Sequence, residues 1–139
     1  MDEESARATL RKVIFNTDVL VWYFRGNERA RRFLASVAQP HRAVSSLTMM
    51  ELIQGCRGRT ELHEVKTFMR DSIPLVVHPD EGSCHRAIAL LEQHAAPHGL
   101  RVVDALIAAA ALESGCALAT ANVKHYRVIA NLEVVPFRP

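Results

Sequence analysis

Five short apolar runs, separated by longer stretches of helical periodicity, limit what this chain can fold into. The runs are Val13-Ile14-Phe15, Ala43-Val44, Leu75-Val76-Val77, Ala117-Leu118-Ala119 and Val134-Val135. None alternates apolar with polar residues, which is the pattern of strands covered on both faces. Between them, residues 28–38 place Ala30, Phe33, Leu34, Val37 and Ala38 on one helical face. Arg29, Arg31 and Arg32 lie mostly off that face, and Pro40 ends the helical region. Residues 81–95 repeat the pattern with Cys84, Ala87, Ile88, Leu91 and Ala95, behind Asp80 as N-cap. Residues 61–70 carry Leu62, Val65 and Met69. Residues 104–114 are apolar nearly all round, which predicts a central helix stopped by Gly115. Strands alternating with helices predict an α/β fold with a mainly parallel sheet.

With 139 residues, 49% of them hydrophobic and 23% charged, the chain is expected to form one domain with a substantial core. Residues 1–11 read as a polar leader, too acidic at Asp2-Glu3-Glu4 and too short of apolar residues for a signal peptide. No stretch reaches the roughly 18 apolar residues of a membrane span. Cys56, Cys84 and Cys116 are odd in number and form no Cys-x-x-Cys pair, which disfavours a disulfide framework or zinc knuckle and suits a reducing cytoplasm. His94 and His98 have helical metal spacing, but Pro97 lies between them and Gly99 follows, so zinc is not expected there. Arginine outnumbers lysine 14 to 3, and residues 25–59 hold seven bases against two acids. Such a face attracts nucleic acid or is simply a solvated helix surface.

In parallel sheets, ligands gather beyond the carboxyl ends of the strands. Four polar groups fall at such places: Asn16-Thr17-Asp18, Ser45-Ser46 with Glu51 beyond, Asp104, and Thr120-Ala121-Asn122. Asp104 is the one charge among ten apolar residues between Val102 and Leu112. It reads as a helix N-cap or as a catalytic or metal-binding carboxylate, and one oxygen can serve each role. Glu51 reads as a solvent-facing residue of an apolar helix or as a second such carboxylate. Thr17 and Asp18 could cap the helix that carries Val19 and Leu20. Carboxylates converging in a cleft repel one another unless a cation joins them, and hard oxygen ligands suit Mg²⁺ or Mn²⁺.

These segments, in order and at these separations, resemble a PIN domain of the VapC type, the toxin ribonuclease of bacterial toxin–antitoxin pairs. The resemblance spans about Val13 to Pro136. It rests on Val13-Ile14-Phe15-Asn16-Thr17-Asp18-Val19-Leu20-Val21-Trp22, on Ser45-Ser46-Leu47-Thr48-Met49-Met50-Glu51-Leu52-Ile53-Gln54-Gly55, on Val103-Asp104-Ala105-Leu106-Ile107-Ala108-Ala109-Ala110-Ala111-Leu112, and on Ala119-Thr120-Ala121-Asn122-Val123-Lys124-His125-Tyr126. It implies a three-layer α/β/α sandwich with about five strands and an Mg²⁺- or Mn²⁺-dependent endonuclease acting on structured RNA such as tRNA or rRNA. It implies that Asn16, Glu51, Asp104 and Asn122 carry catalysis. Glu51, Asp104 and Asn16 would bind metal, Asn122 would hold water or substrate, and Thr17, Asp18 and Thr120 would support the site. Arg25, Arg29 and Arg32 are the candidates for RNA contact. A homodimer and a VapB-type antitoxin are the implied partners, in the cytoplasm and without a membrane. Trp22, Tyr23 and Phe24 are candidates for partner contact, because three consecutive aromatics cannot all face one core.

Asn16 departs from the pattern, which has Asp at that position. An amide oxygen ligates without bringing charge. The expectation is weak metal binding and slow or absent cleavage. An introduced Asp→Asn change and natural divergence would leave the same residue. A non-catalytic module that binds RNA or antitoxin is the alternative. A receiver-like flavodoxin fold also places Asp at strand ends, but Leu75-Val76-Val77 runs into His78-Pro79-Asp80 and no Lys follows Val134-Val135.

Overall fold

A computed structural model describes residues 11–139. The element order is β1 (Val13–Phe15), α1 (Thr17–Phe24), α2 (Glu28–Ala35), a 3₁₀ turn (Gln39–His41), β2 (Arg42–Ser45) and α3 (Ser46–Gln54). There follow α4 (Arg59–Ser72), β3 (Leu75–Val77), α5 (Glu81–His98), α6 (Val102–Ser114), β4 (Ala117–Thr120), α7 (Val123–Tyr126) and β5 (Val134–Pro136). The five strands form one all-parallel sheet in the order β3-β2-β1-β4-β5. The expected α/β fold is therefore present, and each apolar run has become a strand.

Side chains alternate across a strand, and that alternation builds the two outer layers. Val13 and Phe15 face a core with Val44, Ala117 and Ala119, closed by Leu20 of α1, Leu34 of α2 and Met69 of α4. Ile14, Ala43 and Leu118 face the opposite core, closed by Ala87 and Leu90 of α5 and Ile107 and Ala108 of α6. The alanines of α6 are buried from Ala108 to Ala111, which lets this helix approach the sheet closely. Gly115 ends it at φ 67°, a left-handed cap that costs glycine little.

Several expectations need correction. Burial on both faces holds for β1 and β4 but fails at the edges, where β3 and β5 are partly exposed. Helix α2 stops at Ala35, so Val37 packs from beyond its end and Ala38 is exposed. Helix α5 runs through Pro97 to His98, where Gly99 at φ 69° caps it and the Gly99 and Leu100 N–H groups close the last turn onto the Ala95 and His94 carbonyls. Its buried stripe is Ser83, Ala87 and Leu90, leaving Cys84 exposed and Ile88 at 56% exposure. The capping box between Asp80 and Ser83 sets that rotation, since each backbone N–H bonds the other's side chain. The leader lies outside the described residues except for Arg11, which donates to the Gly115 carbonyl and pairs with Glu133. Among the described residues, no helix is long and apolar enough to cross a membrane.

Candidate functional site

The strand order reverses at β1, with β2 and β3 on one side and β4 and β5 on the other. Side chains leaving the carboxyl ends of β1, β2 and β4 therefore share one crevice. Asn16 follows β1, and its backbone N–H bonds the Ala119 carbonyl of β4. Its side chain is 7% exposed.

The hydroxyl of Thr120, fully buried at the end of β4, organises one half of the crevice. Its single proton goes to Asp18 Oδ2 at 2.9 Å. It can then only accept from Asn16 Nδ2 at 3.3 Å and from the Asn122 N–H at 3.0 Å. Asp18 Oδ2 also takes the Ala121 N–H at 3.0 Å, and Oδ1 takes the Val19 N–H at 2.8 Å. Asp18 thus ties α1 to the end of β4. The helix itself starts at Asn16 without a side-chain cap.

Thr17 organises the other half. It donates to Glu51 Oε1 at 2.7 Å, so its 2.9 Å contact with the buried Thr48 must be one in which Thr48 donates. Glu51 is exposed on α3, and Thr17 fixes which way its carboxylate points.

Asp104 is not the N-cap of α6. Arg101 occupies that position, and Asp104 lies in the first turn. Both of its oxygens have partners from α7. His125 Nε2 lies 2.9 Å from Oδ2, and the Tyr126 hydroxyl donates to Oδ1 at 3.1 Å. A carboxylate only accepts, so Nε2 must carry the imidazole proton. The same Tyr126 hydroxyl lies 3.5 Å from Asn16 Oδ1, but its one proton is given to Asp104, so position 16 is a neighbour of that bond and not part of it. Burial, and then the charge of Asp104, push the Tyr126 phenol well above its ordinary range, so it remains a donor. Sequence reasoning gave His125 and Tyr126 no role. The available signal was polar side chains directly after the Thr120-Ala121-Asn122 turn.

Glu51 and Asp104 line one cavity of about 550 Å³, with Leu91, Leu100, Arg101 and Val102. They lie 53 residues apart in sequence and meet only through the sheet. Glu51 also borders a second cavity of about 390 Å³, which runs from Thr17 past Val21, Phe24 and Leu52 to Cys56 and Val65. Asn122 joins the crevice through its backbone, and its side chain is exposed with no hydrogen bond among the described residues. The three aromatics are all half-buried and, against the expectation, all pack on the same core, with Tyr23 and Phe24 edge-on at 5.4 Å and both on Phe68. Trp22 lies under the Arg25 guanidinium, Tyr23 packs on Phe68 at 4.5 Å, and Phe24 enters the second cavity. The expected arginine trio is divided. Arg25 borders the second cavity, while Arg29 and Arg32 belong to a third, near β5.

The oxygen side chains in the wall of the first cavity are the carboxylates of Glu51 and Asp104, which suit a hard divalent ion in kind, and the cationic Arg101 stands in the same wall. Position 16 adds no charge, because it is an amide. No group of three or more His, Cys, Asp or Glu among the described residues is arranged to hold a metal.

Parallel sheet and acidic cleft define a doubly wound α/β domain with its polar groups at the topological switch point. The chain belongs to the PIN domain family, which it matches over residues 13–131. Solved structures share the fold. One is a toxin–antitoxin complex from Klebsiella pneumoniae, 24% identical with a TM-score of 0.75, covering 88% of this chain and 95% of that one. FitAcB from Neisseria gonorrhoeae is 22% identical with a TM-score of 0.71, covering 91% and 97%. VapBC-1 from nontypeable Haemophilus influenzae is 22% identical with a TM-score of 0.73, covering 89% and 96%. No curated protein matches the chain.

Proposed function

We propose that this chain is a VapC-type toxin, an endoribonuclease acting on structured RNA in the cytoplasm and weakened by Asn16. The observation that carries this reading is the shared cavity of Glu51 and Asp104 at the switch point, with Asn16 beside the Tyr126 hydroxyl that donates to Asp104. Glu51, Asp104 and the Asn16 carbonyl oxygen would hold Mg²⁺ or Mn²⁺. The chemistry such an ion supplies when bound is charge stabilisation of an in-line attack by water on a phosphodiester.

The chain's own residues arrange that site. Thr17 aims Glu51, and His125 with Tyr126 fixes both oxygens of Asp104. Thr120 holds the Asn16 amide with its oxygen turned toward Tyr126. The exposed Asn122 side chain stands where it could contact substrate. The second cavity has an apolar floor of Val21, Phe24, Leu52 and Val65 and ends at Glu51, which suits an antitoxin segment reaching the cleft. Toxin–antitoxin complexes among the structural neighbours support such a partner. Met50 at 61% exposure and Val102 at 60% stand beside the two carboxylates and suit a homodimer contact.

Cleavage of a tRNA or rRNA substrate by this chain and by Asn16→Asp, with Mg²⁺, Mn²⁺ or EDTA, tests the reading. The expected result is metal-dependent cleavage that rises strongly in Asn16→Asp and vanishes in EDTA. A variant that binds RNA but cleaves no faster than the parent would favour the second reading, a non-catalytic binding module. The amide at position 16 and the two-carboxylate cleft are the observations on that side.

A further inference from the structure

The third cavity, about 370 Å³, is walled by Arg29 and Arg32 of α2, Ser36, and Pro136, Phe137 and Arg138 at the end of β5. Unlike the two cavities at the cleft, it has no carboxylate in its wall. Arg32 faces Glu28 at 3.7 Å, but both side chains are largely exposed, at 74% and 68%, and such pairs are weak. Arg29 and Arg138 form no ion pair among the described residues. Arg25 and Arg31, by contrast, lie over the rings of Trp22 and Tyr23.

The floor of this cavity is aromatic. Phe33 is half-buried, Phe137 is buried, and their rings lie 5.2 Å apart at 44°. Its position is set by the sheet. Pro136 pairs in register with Thr120, and the Phe137 N–H bonds the Thr120 carbonyl at 2.9 Å. Paired strands are about 4.8 Å apart. Arg138, one residue on, therefore stands at the carboxyl edge of the sheet near the residue that holds Asn16 and Asp18, and Arg29 and Arg32 of α2 share its cavity.

We propose that Arg29, Arg32 and Arg138 form a phosphate-binding subsite for a single-stranded stretch of the RNA flanking the cleft, with Phe33, backed by the buried Phe137, beneath the sugar or base. The proposal rests on the nuclease reading for its choice of ligand. Guanidinium forks match phosphate oxygens, and grooves for single strands combine basic rims with aromatic floors. The subsite would hold the strand on one side of the cleft and thereby set its direction across Glu51 and Asp104.

The test is fluorescence anisotropy with a short labelled oligouridine in EDTA, over a series of salt concentrations. The variants are Arg29→Ala/Arg32→Ala/Arg138→Ala and a control, Lys66→Ala/Arg70→Ala/Arg86→Ala, which removes the same charge elsewhere. Circular dichroism checks that both are folded. The expected result is weaker binding in the first variant, with the slope of log affinity against log salt shallower by about 2, since each single-strand phosphate contact contributes roughly 0.7. The control should keep most of the parental slope. Equal losses in both variants, or no loss in the first, would overturn the subsite. So would a first-variant defect confined to binding of polyglutamate, which would indicate an acidic protein partner. Cleavage by Asn16→Asp is measured separately. Cleavage with an unaffected salt slope refutes the subsite alone. A selective loss of slope without cleavage supports the subsite and refutes the nuclease reading.

Discussion

Asn16 is the residue on which the proposed chemistry turns, and its neighbours explain how the amide is accommodated. Thr120 has one proton and gives it to Asp18, so the atom facing Thr120 from position 16 must be a donor. Asn16 Nδ2 meets that need. A carboxylate there would set oxygen against oxygen and add charge near Asp18 and Asp104. Asn16→Asp should therefore unfold at a lower temperature than the parent in EDTA. Mg²⁺ should restore its midpoint while moving the parent much less. Ligand binding stabilises by about 2.7 kcal/mol at a hundred times the dissociation constant, and differential scanning fluorimetry would read the shift. A midpoint indifferent to Mg²⁺ in the Asp variant would argue against a cation at this place. Thr120→Val tests the same network from its centre. It strands the Asn16 amide and takes one donor from Asp18, and should cost about 1–3 kcal/mol in urea unfolding, with Thr120→Ser much closer to the parent.

At the scale of elements, α5 shows how a cap sets the helix face. Periodicity predicted a stripe through Cys84, Ala87, Ile88 and Leu91, whereas Ser83, Ala87 and Leu90 are buried. The Asp80–Ser83 capping box holds Ser83 inward, and the rest of the helix follows its rotation. Hydrogen bonds from Ser83 keep the Asp80 carboxylate below its ordinary value of 3.8. The folded state then binds that proton less readily than the unfolded chain. The resulting stability is present above the ordinary value and is lost as pH falls through the lower folded value. Thermal midpoints followed from neutral pH to about pH 3 should drop less steeply in Asp80→Asn than in the parent. Parallel curves would remove Asp80 from the acid response. Helix α7 illustrates another limit. It is only four residues long, yet it supplies both partners of Asp104. A segment this short has no periodicity to announce it.

For the whole molecule, a net charge of +2 conceals an uneven distribution. Carboxylates and arginines share the two cavities at the cleft, whereas arginines without acids border the third. The exposed apolar residues beside the cleft carry a further expectation. Light scattering should give twice the chain mass, and Met50→Asp/Val102→Asp should give a monomer that remains folded. A parent already monomeric at high concentration would refute the dimer. The sequence alone determined the strands and the α/β layering, because buried apolar runs and helical stripes are local patterns with different periods. It also marked Glu51 and Asp104, since charges in apolar segments stand out. Tertiary structure decided what those residues meet. Hydrogen-bond partners such as Asp18 with Thr120 and Asp104 with Tyr126, and cavity neighbours such as Arg29 and Arg138, come from strands and helices distant in the chain. Their pairing is set by sheet order and register, which no local pattern encodes.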